Sequence, residues 1–186
     1  MERSQSKFFT QDILHVFLHG ENSRAALVKA TGLGEGSVRS ILGILKEKGF
    51  IVSSKQGHSL TDKGKKWHEK LNNSLRIFDS PIEDYDLAFH IKPPITEKQS
   101  YELRDIAVRW GSKGALIFYY NGQDLLMPPS DSVDYSINFE LLKEGLTNGD
   151  YLILLWGAAK PDLISGGFAI AGELSTTLKE FLLALK

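Results

Sequence analysis

Residues 23–62 read SRAALVKATGLGEGSVRSILGILKEKGFIVSSKQGHSLTD, and this stretch decides the fold of the first part of the chain. Ser23 is a good N-cap residue for a short helix, and Gly32 is suited to end that helix. The glycine-containing turn at residues 33–36 then leads to a second helix from about Ser37 to Lys48. Two short helices joined by a tight turn are therefore predicted.

A β-hairpin is predicted directly after the second helix. Phe50–Ser53 is an apolar strand, Lys55–His58 is a polar tip, and a return strand ends at Thr61. Helix, turn, helix and hairpin in this order form a winged helix-turn-helix, whose second helix lies in the DNA major groove. We therefore predict a winged helix-turn-helix DNA-binding domain in residues 1–78.

The second helix has one apolar face and one polar face. Val38, Leu42 and Leu45 recur at helical spacing, with Ile41 beside them, so this side is expected to face the core. The other side carries small hydroxyls, an arginine and a lysine, which can bond phosphates and base edges. Gly43, also on that side, indicates either a close backbone approach, to DNA or to a neighbouring helix, or a tolerated glycine.

The candidate DNA contacts come from the start of the first helix, the second helix and the wing. They are Ser23, Arg24, Ser37, Arg39, Ser40, Lys46, Lys55, Gln56 and His58. A further helix is predicted from Thr61, with Trp67, Leu71 and Leu75 as its buried side. Its lysines at positions 63, 65, 66 and 70 form either a solvated face or a DNA-facing one.

Charge separates the two halves of the chain. Residues 1–78 hold 13 Lys and Arg against 7 Asp and Glu, whereas residues 79–186 hold 9 against 16. A basic domain releases counterions when it neutralises phosphates, and an acidic domain is repelled by the same duplex. The charge balance therefore assigns double-stranded DNA to the first half.

The stretch GLGEGSVRSILGILKEKGFI, followed by HSLTDKGKKW, is similar to prokaryotic winged-helix transcriptional regulators. The whole chain resembles an archaeal group of two-domain proteins that join such a head to an uncharacterised C-terminal domain. The resemblance implies a role in regulation. It also implies that Ser37, Arg39 and Ser40 meet bases and that residues 55–58 lie at the wing.

The second half, residues 79–186, is predicted to be a separate α+β domain. We expect a strand over residues 85–91, a helix from Thr96 to Trp110, a hairpin around Asn121-Gly122 and a short helix near residues 139–145. Two more strands, 150–156 and 167–171, and a final helix capped by Ser175 follow. This order, βα and then two ββα units, predicts a two-layer α/β sandwich with a mainly antiparallel sheet.

The bulk composition limits the class of protein. With 42% hydrophobic residues in 186, the chain can form two small cores, and the absence of cysteine excludes disulfides and Cys-based sites. The longest apolar run, residues 151–159, is shorter than the roughly 20 residues that span a bilayer. No signal-peptide core stands at the N-terminus, so a cytoplasmic protein with no membrane partner is expected.

Neither a cofactor nor a catalytic set is predicted. His15 and His19 can share a metal, but a third ligand is not evident, and His19 also suits a helix C-terminus. Residues 111–114, GSKG, follow a helix and precede a strand, so a helix end is favoured over a phosphate loop. The loop at residues 157–162 and the acids Asp131, Asp134 and Glu140 are expected to be surface features, and Trp156 a core or interface residue.

The sequence therefore predicts a sequence-specific transcriptional regulator that is not an enzyme. One head makes few base contacts, so a homodimer that reads two half-sites is expected. The second domain is assigned to dimerisation, to sensing an unknown small-molecule effector, or to both. The alternative functions are a winged-helix protein-docking module in a transcription or RNA-processing assembly, and a small-molecule enzyme with a DNA-binding head.

Overall fold

The computed structural model divides the chain into two compact units. One consists of residues 1–71 with 181–186, and the other of residues 72–180. The division precedes the boundary predicted after residue 78, because residues 75–79 form a strand of the second unit's sheet. The described residues are 10–20, 23–55, 57–92, 99–127, 140–157 and 159–185.

The first unit has the predicted order of helix, turn, helix and hairpin. Its elements are α1 (Thr10–Leu18), α2 (Arg24–Thr31), α3 (Glu35–Glu47), β1 (Ile51–Ser54), β2 (Gly57–Leu60) and α4 (Asp62–Ser74), whose last residues fall in the second unit. Ser23 caps α2, and Gly32 adopts φ 69° at its end, as predicted. The start of α3 was predicted two residues late, because Gly34 serves as its N-cap and Glu35 suits the positive end of the helix dipole.

The core of the first unit combines the apolar side of α3 with a cluster of phenylalanines. The predicted residues Val38, Ile41, Leu42 and Leu45 are all buried. Aromatic rings pack beside them, with Phe17 and Phe181 stacked at 4.8 Å between centroids and Phe50 5.3 Å from Phe181. Phe181 lies in α8 (Thr176–Ala184), so the end of the chain completes this core.

The pattern Leu60–Gly64 (LTDKG) is explained by packing within the first unit. Thr61 Oγ1 accepts a hydrogen bond from Gly64 N at 3.0 Å and so caps α4. Lys63 Nζ donates to the carbonyl oxygen of Lys48 at 2.8 Å and lies 4.2 Å from the centre of the Phe50 ring. A Cβ at Gly64 would overlap the carbonyl of Phe50, so only glycine fits there.

The second unit is built on one five-stranded sheet. Its elements are β3 (Leu75–Asp79), β4 (Leu87–Ile91), α5 (Ser100–Arg109), β5 (Gly114–Tyr120), β6 (Leu125–Leu126), α6 (Glu140–Lys143), β7 (Tyr151–Trp156), α7 (Lys160–Leu174) and the first part of α8. The strand order is β3-β4-β7-β5-β6, and every neighbouring pair is antiparallel. The predicted α+β class with an antiparallel second sheet is confirmed.

Several predicted elements of the second unit are present. The hairpin turns at Asn121, whose Oδ1 accepts hydrogen bonds from the backbone of the next turn residues, Gln123 and Asp124. Ser175 Oγ accepts from Leu178 N and caps α8. The helix predicted from Thr96 is described only from Ser100, since residues 93–98 lie outside the described part of the chain.

The predicted strand at residues 167–171 is wrong, because these residues lie inside α7. This helix is buried on most of its surface, so its sequence lacks the polar face that marks a helix. A Cβ at Gly167 would overlap the ring of Phe89, which explains a glycine within the helix. The described residues therefore do not form the second ββα unit, and residues 160–162 are the first turn of α7 and do not join two strands. The strand β3 was not predicted.

Candidate nucleic-acid interface

The polar side of α3 is open to solvent in the first unit. Arg39 is 66% exposed, and Ser40, Gly43 and Lys46 are also exposed, while Ser37 is half-buried. A Cβ at Gly43 would meet no protein atom within 4 Å. A neighbouring helix in the described protein therefore does not explain this glycine, and the backbone of α3 is accessible there.

Glu35 joins two of the predicted DNA contacts. Its Oε1 lies 3.5 Å from Arg24 Nη1 and 3.4 Å from Arg39 Nη2. Arg24 is at the start of α2, so one carboxylate links the first turns of both helices. Sequence reasoning did not select Glu35, although its i,i+4 spacing from Arg39 is the usual signal for a helical ion pair.

The wing lies in the electrostatic field of these same helices. Burial lowers the pKa of His58, and the positive charges of Arg24 and Lys46 lower that pKa further. Ser53 Oγ is 3.0 Å from His58 Nδ1 and holds the imidazole on the hairpin. Cations from α2, α3 and the wing therefore share one region. Lys55 is exposed at the tip, and Gln56 lies outside the described residues.

Two of the predicted hydroxyl contacts, Ser23 and Ser40, make hydrogen bonds within the protein. Ser23 Oγ accepts a hydrogen bond from Ala26 N at 3.2 Å, which is the ordinary role of an N-cap. Ser40 Oγ donates to the Gly36 carbonyl oxygen at 3.0 Å. Each hydroxyl can still make a further hydrogen bond, but its present partner is an atom of its own helix.

The lysines of α4 divide between structural and exposed positions. Besides the contacts of Lys63 described above, Lys70 Nζ lies 5.0 Å from the centre of the Trp67 ring. Lys65 and Lys66 are exposed. The alternative of a solvated face that also supports the fold therefore accounts for Lys63 and Lys70.

The candidate metal, phosphate and surface residues lie outside the proposed DNA contacts. His15 Nε2 and His19 Nε2 are 3.4 Å apart, and the described residues contain no group of three potential metal ligands. Gly111 has φ 106° just after α5, as expected for a helix end. Lys160 pairs with Asp79 at 2.6 Å. Asp131 and Asp134 lie outside the described residues.

A buried, hydrogen-bonded histidine–aspartate pair in the second unit was not predicted. His90 Nε2 is 2.7 Å from Asp150 Oδ2, and the two side chains are 2% and 3% exposed. Asp150 Oδ2 also accepts hydrogen bonds from Thr147 N at 2.7 Å and Thr147 Oγ1 at 3.0 Å. Burial lowers the pKa of His90, and the hydrogen bond and charge of Asp150 oppose that effect.

Comparisons with known proteins cover both parts of the chain. Residues 11–66 match the family model described as the PH0730-like N-terminal domain, and residues 83–174 match a domain of unknown function, DUF4443. A solved structure, the hypothetical protein PH0730 from Pyrococcus horikoshii OT3, matches with 26% identity and a TM-score of 0.77. The match covers 94% of this chain and 99% of that one. The two chains share one architecture.

PH0730 therefore supports the two-domain architecture inferred from the sequence. No curated protein matches the chain. In the described ranges, no helix is long and apolar enough to cross a membrane.

Proposed function

We propose that the chain is a sequence-specific DNA-binding transcriptional regulator, with α3 in the major groove and the wing on the phosphate backbone. The observation that carries this proposal is the accessible face of α3, where Arg39 shares Glu35 with Arg24 and where Lys46 acts on His58 of the wing. The first unit as divided in the structure holds 13 Lys and Arg against 7 Asp and Glu. Such a balance favours a polyanionic partner.

The Glu35 carboxylate competes with DNA for Arg24 and Arg39. In the free protein its carboxylate neutralises part of the charge on Arg24 and Arg39. Both arginines must release it before they bind phosphate or a guanine edge, and the carboxylate then faces the duplex. We therefore expect weaker binding to any duplex whose phosphates and bases bind the two arginines less favourably than Glu35 does.

The second unit is proposed to mediate dimerisation, effector sensing or both. A single winged helix reads few base pairs, whereas a two-fold dimer reads two half-sites about 34–36 Å apart. The opposite charge of the two units supports this division of roles, because the second unit holds 9 Lys and Arg against 16 Asp and Glu. A surface of that charge is repelled by DNA.

The deciding experiment is a fluorescence-anisotropy titration with a duplex from upstream of the protein's own gene and with a scrambled duplex. Both titrations are repeated over a range of salt concentrations. We expect tighter binding to the upstream duplex and a steep fall in affinity with salt. Absence of binding to either duplex at low salt would reject the proposal and favour a protein-docking module.

Arg39→Ala tests whether α3 reads bases. Loss of a guanine contact should cost about 1–3 kcal/mol on the upstream duplex and less on the scrambled one. Arg109→Ala removes the same charge from an exposed position in the second unit and should leave both affinities unchanged. An equal loss on both duplexes for Arg39→Ala would instead make Arg39 a phosphate contact.

Glu35→Gln tests the competition between Glu35 and DNA. Releasing both arginines should raise the affinity for both duplexes by about two- to fivefold, since exposed pairs are worth only about 0.3–1 kcal/mol. Glu47→Gln, at the end of the same helix, is the matched control. Weaker binding by Glu35→Gln would show that the carboxylate itself contacts the DNA, as an acceptor for a cytosine amino group does.

A further inference from the structure

The second unit contains a cavity of about 400 Å³ at the β3 edge of its sheet. Small-molecule sites in proteins commonly have volumes of about 300–1,000 Å³. Phe78, Leu142 and Leu146 supply apolar wall, and Arg76, His90 and Glu144 supply charged or polar groups. The lining therefore offers both apolar surface and charged groups, which suits a ligand that has an apolar body and a charged end.

The sheet register brings two of these polar groups together. Arg76 of β3 is directly opposite His90 of β4, so their side chains lie on the same face of the sheet. Asp150 immediately precedes β7, the other neighbour of β4, and its Oδ2 lies 2.7 Å from His90 Nε2. Thr147 N donates a hydrogen bond to the same Asp150 oxygen. The imidazole is therefore fixed in the cavity wall.

Arg76 is a solvent-exposed cation in the lining of this cavity. In the described part of the chain its guanidinium makes no hydrogen bond or ion pair, whereas Asp79 on the same wall is paired with Lys160. A Cβ at Gly145 would lie 3.1 Å from Arg76 Nη1, and Gly145 also has φ 78°. Glycine there leaves room for the guanidinium against the backbone after α6.

We propose that this cavity binds a small organic monoanion, a carboxylate with an apolar body. The carboxylate pairs with Arg76, whose planar donors match it in a two-pronged geometry, and the body packs against Phe78, Leu142 and Leu146. The Glu144 carboxylate on the same wall disfavours a doubly charged ligand such as phosphate. The site extends the proposed function to a ligand class and does not depend on DNA binding.

The test is isothermal titration calorimetry of the full chain without DNA. The probes are straight-chain carboxylates from butanoate to octanoate, their primary amides, and inorganic phosphate. We expect the carboxylates to bind with affinity that rises with chain length, and each amide to bind about tenfold to a hundredfold more weakly. Phosphate should not bind. Equal affinity for carboxylate and amide, or no binding of any carboxylate, overturns the proposal.

Two variants locate the site. Arg76→Gln should lose about tenfold to a hundredfold in carboxylate affinity, while Arg109→Gln should retain it. Leu141 lines the cavity mouth and is 63% exposed, so Leu141→Ala should fold normally and weaken octanoate more than butanoate. Full affinity in a folded Arg76→Gln variant contradicts the proposal. If that variant does not fold, the carboxylate–amide comparison on the native chain decides.

The outcome is independent of the regulator proposal. Carboxylate binding together with no duplex binding would leave a ligand-binding protein with an unexplained head. Duplex binding without carboxylate binding would leave a regulator whose second unit does not sense this class of ligand.

Discussion

The two units place their polar chemistry in opposite ways. In the first, the side chains of Arg39 and its partner Glu35 are 66% and 65% exposed, so the residues of the candidate interface do not contribute to the buried core. In the second, His90 and Asp150 are 2% and 3% exposed and lie within the sheet. Surface chemistry of the first kind can be altered without loss of the fold, whereas the buried pair is part of it.

The largest difference is expected on removal of one buried partner. His90→Ala removes an imidazole donor from the buried Asp150 carboxylate, and a buried group that loses a hydrogen-bond partner typically costs about 1–3 kcal/mol, and more when that group is charged. Urea denaturation followed by circular dichroism measures this loss in the free energy of unfolding. Lys55→Ala, at the exposed tip of the wing, is the control and should change stability by less than about 0.5 kcal/mol. Similar losses for the two variants would remove the contrast between the units.

A second prediction concerns a buried glycine of the first unit, Gly64. Gly64→Ala forces a Cβ against the Phe50 carbonyl, so the backbone of α4 or of Phe50, just before β1, must move. Overpacking of this kind costs about 1–3 kcal/mol. The same denaturation experiment measures it, with Gly36→Ala in open space as control. A stable Gly64→Ala variant would show that the LTDKG pattern is not maintained by packing.

The contrast also explains what could be predicted from the sequence. The caps Ser23 and Gly32 and the apolar stripe of α3 act over a few residues, so local spacing predicted α2 and α3 closely. Local spacing could not reveal that Phe181 completes the first core, or that His90 meets Asp150, which is 60 residues away. The misassigned residues 167–171 failed for a related reason, since a helix buried on most sides has no periodic polar face.

The site residues show the same limit. Arg39 and Lys46 were predicted on the exposed face because helical periodicity separates them from Val38 and Leu42. Glu35 was missed because the helix was predicted to begin after it. The cavity around Arg76 was missed entirely, because it depends on the register of β3, a strand that local pattern did not reveal.

A smaller effect separates stability from recognition at Gly43. Alanine there meets no protein atom and should stabilise α3 by about 1 kcal/mol, measured by urea denaturation. If the backbone of α3 at Gly43 lies against the DNA, the added methyl group should weaken binding to the upstream duplex, although the variant is more stable. Unchanged affinity would make Gly43 a tolerated glycine, and the interface would then depend on the flanking side chains.

The smallest expected effect is a pH dependence of DNA affinity that arises at the wing. Burial, Arg24 and Lys46 hold the pKa of His58 below 6.5 in the free protein. Phosphates near the wing would offset those cations and raise this pKa in the complex, so binding takes up a proton.

Because the pKa is higher in the complex, the gain in affinity is complete below the free-protein pKa and is lost as pH rises through the pKa of the complex. We expect affinity to fall by about a factor of three to ten between pH 5.5 and pH 8. His58→Gln should abolish this dependence, measured by anisotropy at constant ionic strength. The second unit supplies the contrast, because lowering pH protonates His90 against burial and reduces stability below about pH 6.5. A lower pH should therefore raise the affinity of the first unit for DNA and lower the stability of the second unit. A pH dependence of affinity that persisted in His58→Gln would assign the proton uptake to another group.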